Sequence, residues 1–203
     1  MKIAVTGASG NAGSRITAEL ARRGHLVTAI ARNPEKIATL PNVTPVKGDA
    51  NDRASLVALW AGHDAAISSI HFVGCDPEKL IGAARDSAIK RYLVVGGAGS
   101  LEVAPGGRLV TPPGFPSQYK AEAEGGAAFL DRLRQENELN WTFLSPSALF
   151  IAGERTGKFR LGTDQLLTAA DGRSWISFED FAVALADEIE RPAHLRRRFT
   201  VGY

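Results

Sequence analysis

The sequence predicts an α/β fold built on a doubly wound, mostly parallel sheet. Short apolar runs alternate with amphipathic stretches about every 20 to 25 residues through the first half of the chain, the rhythm of βαβ crossovers. The apolar runs are continuous rather than alternating, as in strands covered on both faces. A glycine cluster at Gly7, Gly10 and Gly13 separates the first apolar run from the first amphipathic stretch.

The elements follow in order. Ile3-Ala4-Val5 is a strand-sized run. Over 12–23, Ile16, Leu20 and Ala21 share one helical face while Arg15, Glu19 and Arg22 point away, and Gly24-His25 stops the helix. Residues 26–31 form a second strand, and Asn33-Pro34 opens a short helix through Ile37. A third strand at 43–46 leads to a helix over 52–60 with Asp52 as its cap. A strand at 65–70, a helix at 77–88 and a strand at 91–95 complete the regular part. The rhythm then breaks: residues 97–116 hold five glycines and four prolines. A loop this long is uncommon in a compact domain, and it follows a strand at the sheet edge where ligands bind, so it is expected to lid a substrate pocket. Residues 117–133 form a long helix and 141–144 a sixth strand. The chain is then irregular until Trp175-Ile176-Ser177, followed by an amphipathic stretch at 179–189 and a candidate final strand at 199–201. The expected organisation is a single domain over 1–203, to which 146–203 adds a small cap on the substrate side.

Composition narrows the function. The 203 residues are 44% hydrophobic and 23% charged, ordinary for a folded domain and unlike a disordered chain. A formal charge of +2 gives no global field for nucleic acid or an anionic membrane, and the three arginines at 196–198 are too few to change that. No apolar run approaches the length of a membrane span. Cys75 is the only cysteine, so no internal disulfide forms and a reducing cytoplasm is expected. The four histidines have no metal-ligand spacing, so no metal is expected. The expected partner is a small molecule, with the protein a monomer or homodimer.

Thr6-Gly7-Ala8-Ser9-Gly10-Asn11-Ala12-Gly13 is the strongest local signal. A strand must turn sharply into a helix, bare backbone must admit a pyrophosphate, and the helix N–H groups must face the anion. Glycine triplets alone are weak evidence, but this one lies between a strand and a helix, the context that gives it meaning. Rossmann-type sheets set cofactor choice at the end of the second strand: an acid there bonds the ribose hydroxyls of NAD, whereas an arginine accommodates the 2′-phosphate of NADP. Here Val27-Thr28-Ala29-Ile30-Ala31-Arg32 ends without an acid. Arg32 therefore favours NADP over NAD, with Arg15 and Lys36 as candidate helpers.

With this loop the chain resembles the atypical short-chain dehydrogenases/reductases. The likeness is strongest to the small NAD(P)H-binding branch that includes NmrA-like proteins, biliverdin reductase B-type flavin reductases and NADH-flavin reductases, and it runs through most of the chain. Val46-Lys47-Gly48-Asp49-Ala50-Asn51-Asp52 resembles the segment in which the aspartate and its neighbour meet the adenine, which implies roles for Asp49 and Ala50. Ala66-Ile67-Ser68-Ser69-Ile70 is similar to the fourth-strand end that lines ribose and pyrophosphate, implying Ser68, Ser69 and Ile70. Ser9, Gly10, Asn11 and Ala12 belong to the phosphate loop with Gly7 and Gly13. Leu144-Ser145-Pro146-Ser147 resembles the turn near the nicotinamide, implying Pro146, although Ser145 replaces the usual arginine. Trp175 to Ala182 resembles an Ile-Ser-x-x-Asp-x-Ala segment whose role is structural.

One departure matters more. Members of the wider group carry Tyr-x-x-x-Lys, in which the lysine lowers the tyrosine pKa for proton transfer; this chain has no such pattern. Aligned on Lys120-x-x-x-Glu124, Pro116 takes the tyrosine's place. Lys120 remains as the implied contact of the nicotinamide ribose. Tyr119, adjacent to Lys120, is a catalytic candidate within reach of the pocket, although about 100° round the helix it is no simple substitute for the missing tyrosine. Ser100 is the implied hydrogen-bond donor to a substrate carbonyl. His71 is a further candidate donor, and Phe115 and Phe150 are candidate stacking surfaces for a flat substrate. Flavins and quinones accept hydride and take their protons from solvent, so the expected function is NAD(P)H-dependent reduction of a small planar acceptor. An NmrA-like dinucleotide sensor without turnover is the alternative. Nucleotide-sugar epimerisation or dehydration comes third, because it needs general acid–base help that this chain lacks.

Overall fold

A computed structural model describes residues 1–203. The first half runs β1 (Lys2–Thr6), α1 (Asn11–Arg22), β2 (Leu26–Ala31), a 3-10 turn (Pro34–Lys36), β3 (Val43–Lys47), α2 (Arg53–Trp60), β4 (Ala65–Ser68), α3 (Pro77–Asp86) and β5 (Arg91–Val95). The second half adds β6 (Glu102–Ala104), β7 (Gly107–Arg108), α4 (Ser117–Leu133), β8 (Trp141–Pro146), β9 (Leu149–Ile151), β10 (Arg160–Gly162), β11 (Trp175–Ser177), α5 (Phe178–Glu190) and β12 (Arg197–Gly202). Eight strands form one sheet in the order β10-β12-β8-β5-β4-β1-β2-β3, parallel except for β10 at one edge. The α/β doubly wound fold is thus present. Its winding reverses between β1 and β4, the crevice where such sheets bind ligands.

Burial explains the continuous apolar runs. Ile3 and Val5 of β1, with Leu93 and Val95 of β5, face a core shared with α1 and α5. Ala4, Tyr92 and Val94 of the same strands face the opposite core, packed by α2, α3 and α4. Both faces of each central strand are dry, so polar alternation is absent. Asp52 caps α2 as its sequence position predicts, its carboxylate accepting the Ser55 N–H at 3.1 Å.

Three parts of the second half differ from expectation. Residues 97–116 are not structureless. They fold into the β6–β7 hairpin, held by Leu109 N–H to Leu101 O (2.8 Å), by Val110 N–H to Gly99 O (3.1 Å) and by a bidentate Arg108–Asp131 pair to α4. The segment after Pro146 contributes mainly to the main sheet and its helical cover. Strand β12 joins the main sheet beside β8, β10 adds its antiparallel edge, and α5 packs along α1. Only the short parallel pair β9–β11 stands outside the main sheet on that side of the chain. Strands of three residues paired across long separations leave no periodicity to read. Finally, β12 begins at Arg197, earlier than its apolar stretch suggests, because Arg198 is buried against Asp164 and Ser100.

One ionic cluster fastens α5 and the 152–158 loop to α1. Glu19, 4% exposed, accepts bidentate hydrogen bonds from Arg22 (2.7 and 3.0 Å) and Arg155 (2.8 and 3.0 Å), and a further bond from Arg23 at 2.8 Å. Arg23 reaches on to Asp187 and Glu190 of α5. Burial by itself would raise the Glu19 pKa, but the three guanidinium groups overcome it and hold the carboxyl far below the usual carboxylate range. Its folded-state pKa is depressed, so its contribution is complete above the ordinary glutamate value and is lost as pH falls toward the depressed one. Glu19→Gln should therefore cost about 1.5–3 kcal/mol at neutral pH, and the deficit should shrink in acid. Urea denaturation of both proteins at neutral pH and near pH 3 checks this; an equal deficit at the two pH values contradicts it.

Candidate dinucleotide site

The loop between β1 and α1 is shaped by contacts that only glycine permits. Gly7 has φ +85°, and an added Cβ would lie 1.9 Å from Ser69 O at the end of β4. A Cβ on Gly13 would lie 2.1 Å from Gly7 O. The helix is thereby pressed onto the loop that precedes it. Gly7 N–H and Ala8 N–H both donate to Ile30 O (2.9 and 3.1 Å), and Gly10 N–H turns back to Gly7 O at 3.0 Å. No side chain caps α1, and no acid stands in its first turn. The N–H groups of Asn11, Ala12 and Gly13 therefore point out of the helix end with no acceptor in the protein, a ready anion cradle. This donor set fits a pyrophosphate.

A cavity of about 410 Å³ opens in front of it, along the crevice between β1 and β4. Gly7, Ser9 and Gly10 line one side, with Ser69 and Ile70 from the end of β4. Arg32, at the end of β2, and Gly48 to Asn51, after β3, line the other. Asp49 Oδ1 accepts Asn51 N–H at 2.9 Å, which shapes that turn and presents Ala50 to the space. Arg32 is exposed and forms no hydrogen bond or ion pair within the protein, so its guanidinium is free for a ligand. Lys36 is exposed on the following 3-10 turn. Arg15 cannot assist: it is paired with Glu179 at 3.0 Å, bonded to Ser14 Oγ, and lies over the Phe178 ring.

Several sequence candidates lie elsewhere. Ser68 is fully buried behind the cavity wall, its Oγ 2.8 Å from the Tyr92 hydroxyl. Burial drives the Tyr92 pKa well above the ordinary phenol value despite that bond, so it stays protonated and sealed. Ser100 is 4% exposed and accepts from the Arg198 guanidinium at 3.3 Å, which ties it to the loop scaffold rather than to a substrate. Phe150 packs edge-on against Phe178 and tilts against Phe181, with centroids 4.5 and 4.7 Å away, so its ring is spent on the core. Pro146 is buried at the end of β8, in register with Val201. On the first turns of α4, Tyr119 and Lys120 are both exposed, Lys120 Nζ standing 3.9 Å from Glu124. Neither they nor Phe115, Ser68, Ser100 and Pro146 line the cavity. The histidines are scattered: His25 contacts Glu190, His63 contacts Thr28 and Trp60, and His194 contacts Glu188. No group of three His, Cys, Asp or Glu side chains is placed to hold a metal ion.

Sequence reasoning passed over one wall of the cavity, the loop after β4. Val73, Gly74 and Cys75 line it together with His71. No motif marks these residues; only the return of the chain from β4 toward the β3 edge places them there, and Asn51 Nδ2 donates to Gly74 O at 3.1 Å to close the join.

An uncapped helix end, a glycine-tight strand-to-helix turn and a cavity at the winding reversal define a dinucleotide-binding α/β protein. The chain belongs to the NAD(P)H-binding family, whose profile matches residues 7–192, and it is of the atypical short-chain dehydrogenase/reductase type. It is 41% identical to the uncharacterized protein YwnB of Bacillus subtilis, over 99% of this chain and 98% of that one. Among solved structures, a protein of Streptococcus pneumoniae provisionally named an NADH-flavin reductase is 36% identical, with a TM-score of 0.86 over 100% of this chain and 99% of that one. A protein of Bacteroides thetaiotaomicron provisionally named an epimerase is 38% identical, with a TM-score of 0.95 over 100% and 96% of the two chains. No helix is long and apolar enough to cross a membrane.

Cys75 offers a chemical probe of this cavity. Burial, aided by the charges of Asp76 and Glu122, pushes its thiol up to about 11, so it carries almost no thiolate at neutral pH. Alkylation by iodoacetamide should be slow at pH 7, accelerate only above about pH 10, and slow further when NADPH is present. Mass spectrometry of the intact protein follows the labelling; fast reaction at pH 7 would contradict the half-buried placement.

Proposed function

We propose that this protein is an NADPH-dependent reductase of a small planar acceptor such as a flavin or quinone. The observation that carries the reading is a pairing of two features. The ribose end of the cavity offers the free guanidinium of Arg32 and no acid at the end of β2. Meanwhile no phenol lines the cavity: Tyr92 and Tyr203 are hydrogen-bonded within the scaffold, as the Ser100 hydroxyl also is, and Tyr119 is exposed away from it. When bound, NADPH supplies the hydride. The protein's part is to hold and orient: the first-turn N–H groups of α1 bind the pyrophosphate, Arg32 takes the 2′-phosphate, and Ser9, Asp49, Ala50, Ser69 and Ile70 wall the adenosine half. Lys120 and Pro146 are placed with the nicotinamide half by family resemblance. An acceptor that draws its protons from solvent needs nothing more.

The likeness to the protein named for NADH-flavin reduction supports the acceptor class. The likeness to the one named as an epimerase does not displace it, because epimerisation requires a positioned acid–base pair. The single cysteine and the choice of a reduced dinucleotide support a cytoplasmic setting, and the near-neutral charge supports a small-molecule substrate over nucleic acid. The protein works as a monomer or homodimer on this reading.

Purified protein should oxidise NADPH steadily, followed by absorbance, when FMN, riboflavin or a soluble quinone is supplied. Tight NADPH binding without turnover on any of them would overturn the reductase and leave an NmrA-like sensor. The cofactor preference has its own test. A charge-assisted contact to phosphate contributes about 1.5–3 kcal/mol, so Arg32→Ala should weaken NADPH binding roughly 10- to 100-fold. NADH binding should change less than about twofold. Equal losses for the two would sink the assignment.

A further inference from the structure

The loop after β4 is held from two sides, and one holder belongs to α4. Glu122 Oε1 accepts the Phe72 N–H at 2.8 Å, and its Oε2 accepts the Val73 N–H at 2.9 Å. Both carboxylate oxygens are thus spent on consecutive amides of the cavity wall, and His71 Nδ1 lies 3.4 Å from Oε1. Phe72, between these contacts, turns away from the cavity into the core, its ring centroid 5.6 Å from Phe129 and 6.3 Å from Phe143. Gly125 and Gly126 of α4 make room for it: a Cβ on either would lie 3.0 Å from the Phe72 side chain. His71, Val73, Gly74 and Cys75 are left facing the dinucleotide cavity.

Glu122 is on the same helical face as Tyr119, three residues earlier, and two residues beyond Lys120. We propose that Glu122 is a positioning residue, a latch by which α4 fixes the loop 71–75 over the bound dinucleotide and couples its release to the first turns of α4. The inference rests on the dinucleotide occupying this cavity but not on which acceptor is reduced. Two charge-assisted bonds to adjacent amides must break together before the wall can move outward, so the latch acts on dissociation more than on capture.

The test is the NADPH dissociation rate, measured by displacement in stopped flow from the bound-cofactor fluorescence, with amide hydrogen exchange at Phe72 and Val73 read alongside. Glu122→Gln keeps the shape and one carbonyl acceptor while removing the charge, and Glu122→Ala removes both acceptors. Dissociation should quicken roughly three- to tenfold in Glu122→Gln and further in Glu122→Ala, with association within about twofold of the unaltered protein and exchange at both amides accelerated. If Glu122→Ala does not fold, the Gln variant alone decides. Unchanged dissociation with accelerated exchange would overturn the latch, since the loop would be freed without effect on the cofactor. Unchanged exchange would overturn the hydrogen bonds themselves. Failure of the unaltered protein to bind any nicotinamide dinucleotide would instead remove the site on which the latch depends.

Discussion

The contact between Gly13 and the carbonyl of Gly7 is the constraint on which the site depends. With 2.1 Å between that oxygen and any Cβ at residue 13, α1 can approach the loop only where the residue has no side chain. The same closeness operates across the crevice, where Gly7 leaves room for Ser69 O. The two approaches set the N-terminus of α1 directly at the reversal of the sheet, with three N–H groups unpaired and no acid nearby. A helix end of that kind carries partial positive charge, and the crevice supplies the space in front of it. The anion-binding character of the site follows from this geometry more than from any single side chain.

The rest of the molecule keeps α1 in place. Helix α5 lies along it through an apolar face, and the Glu19 cluster adds polar ties that reach both α5 and the 152–158 loop. Asp180, at the start of α5, is fully buried and accepts from Gly157 N–H at 2.8 Å and from the Tyr203 hydroxyl at 2.8 Å. The Ile-Ser-x-x-Asp segment thereby gathers the loop and the chain end over the helix. On the α4 side Tyr119 and Lys120 stand exposed, and the polar fastening of the first turns of α4 to the cavity wall is the carboxylate of Glu122.

Much of the scaffold was legible because its signals are local. Residues 26–31 and 91–95 read as strands with the bounds that the fold shows, and the helix at 117–133 begins after Pro116, which sets its first turn. Arg32, Asp49, Ser69 and Ile70 reach the cavity because each ends a strand or follows one at the carboxyl edge. The candidates that stand apart from the cavity do so for one cause. Ser100, Ser68 and Phe150 have side chains suited to a site, but their partners Arg198, Tyr92 and Phe178 lie 98, 24 and 28 positions away along the chain, and pairing over such distances has no period to detect. Cys75 and Gly74 were silent for the opposite reason: nothing in their neighbourhood announces chemistry, and only the path of the loop brings them to the cavity.

What the sequence determined by itself is the run of parallel strands from β1 to β5 and the phosphate loop, because hydrophobic patterning and glycine sterics act over a few residues and survive any later packing. What the tertiary structure decided is which polar side chains remain available. A hydroxyl or carboxylate is free for ligand only if no distant donor has already satisfied it, and a buried one must be satisfied at a cost comparable to a hydrogen bond. Arg198 reaching Ser100, and Glu122 reaching the amides of Phe72 and Val73, are settled by that competition across the fold. The glycines of this chain mark where a dinucleotide enters; the long-range hydrogen bonds decide what stands beside it.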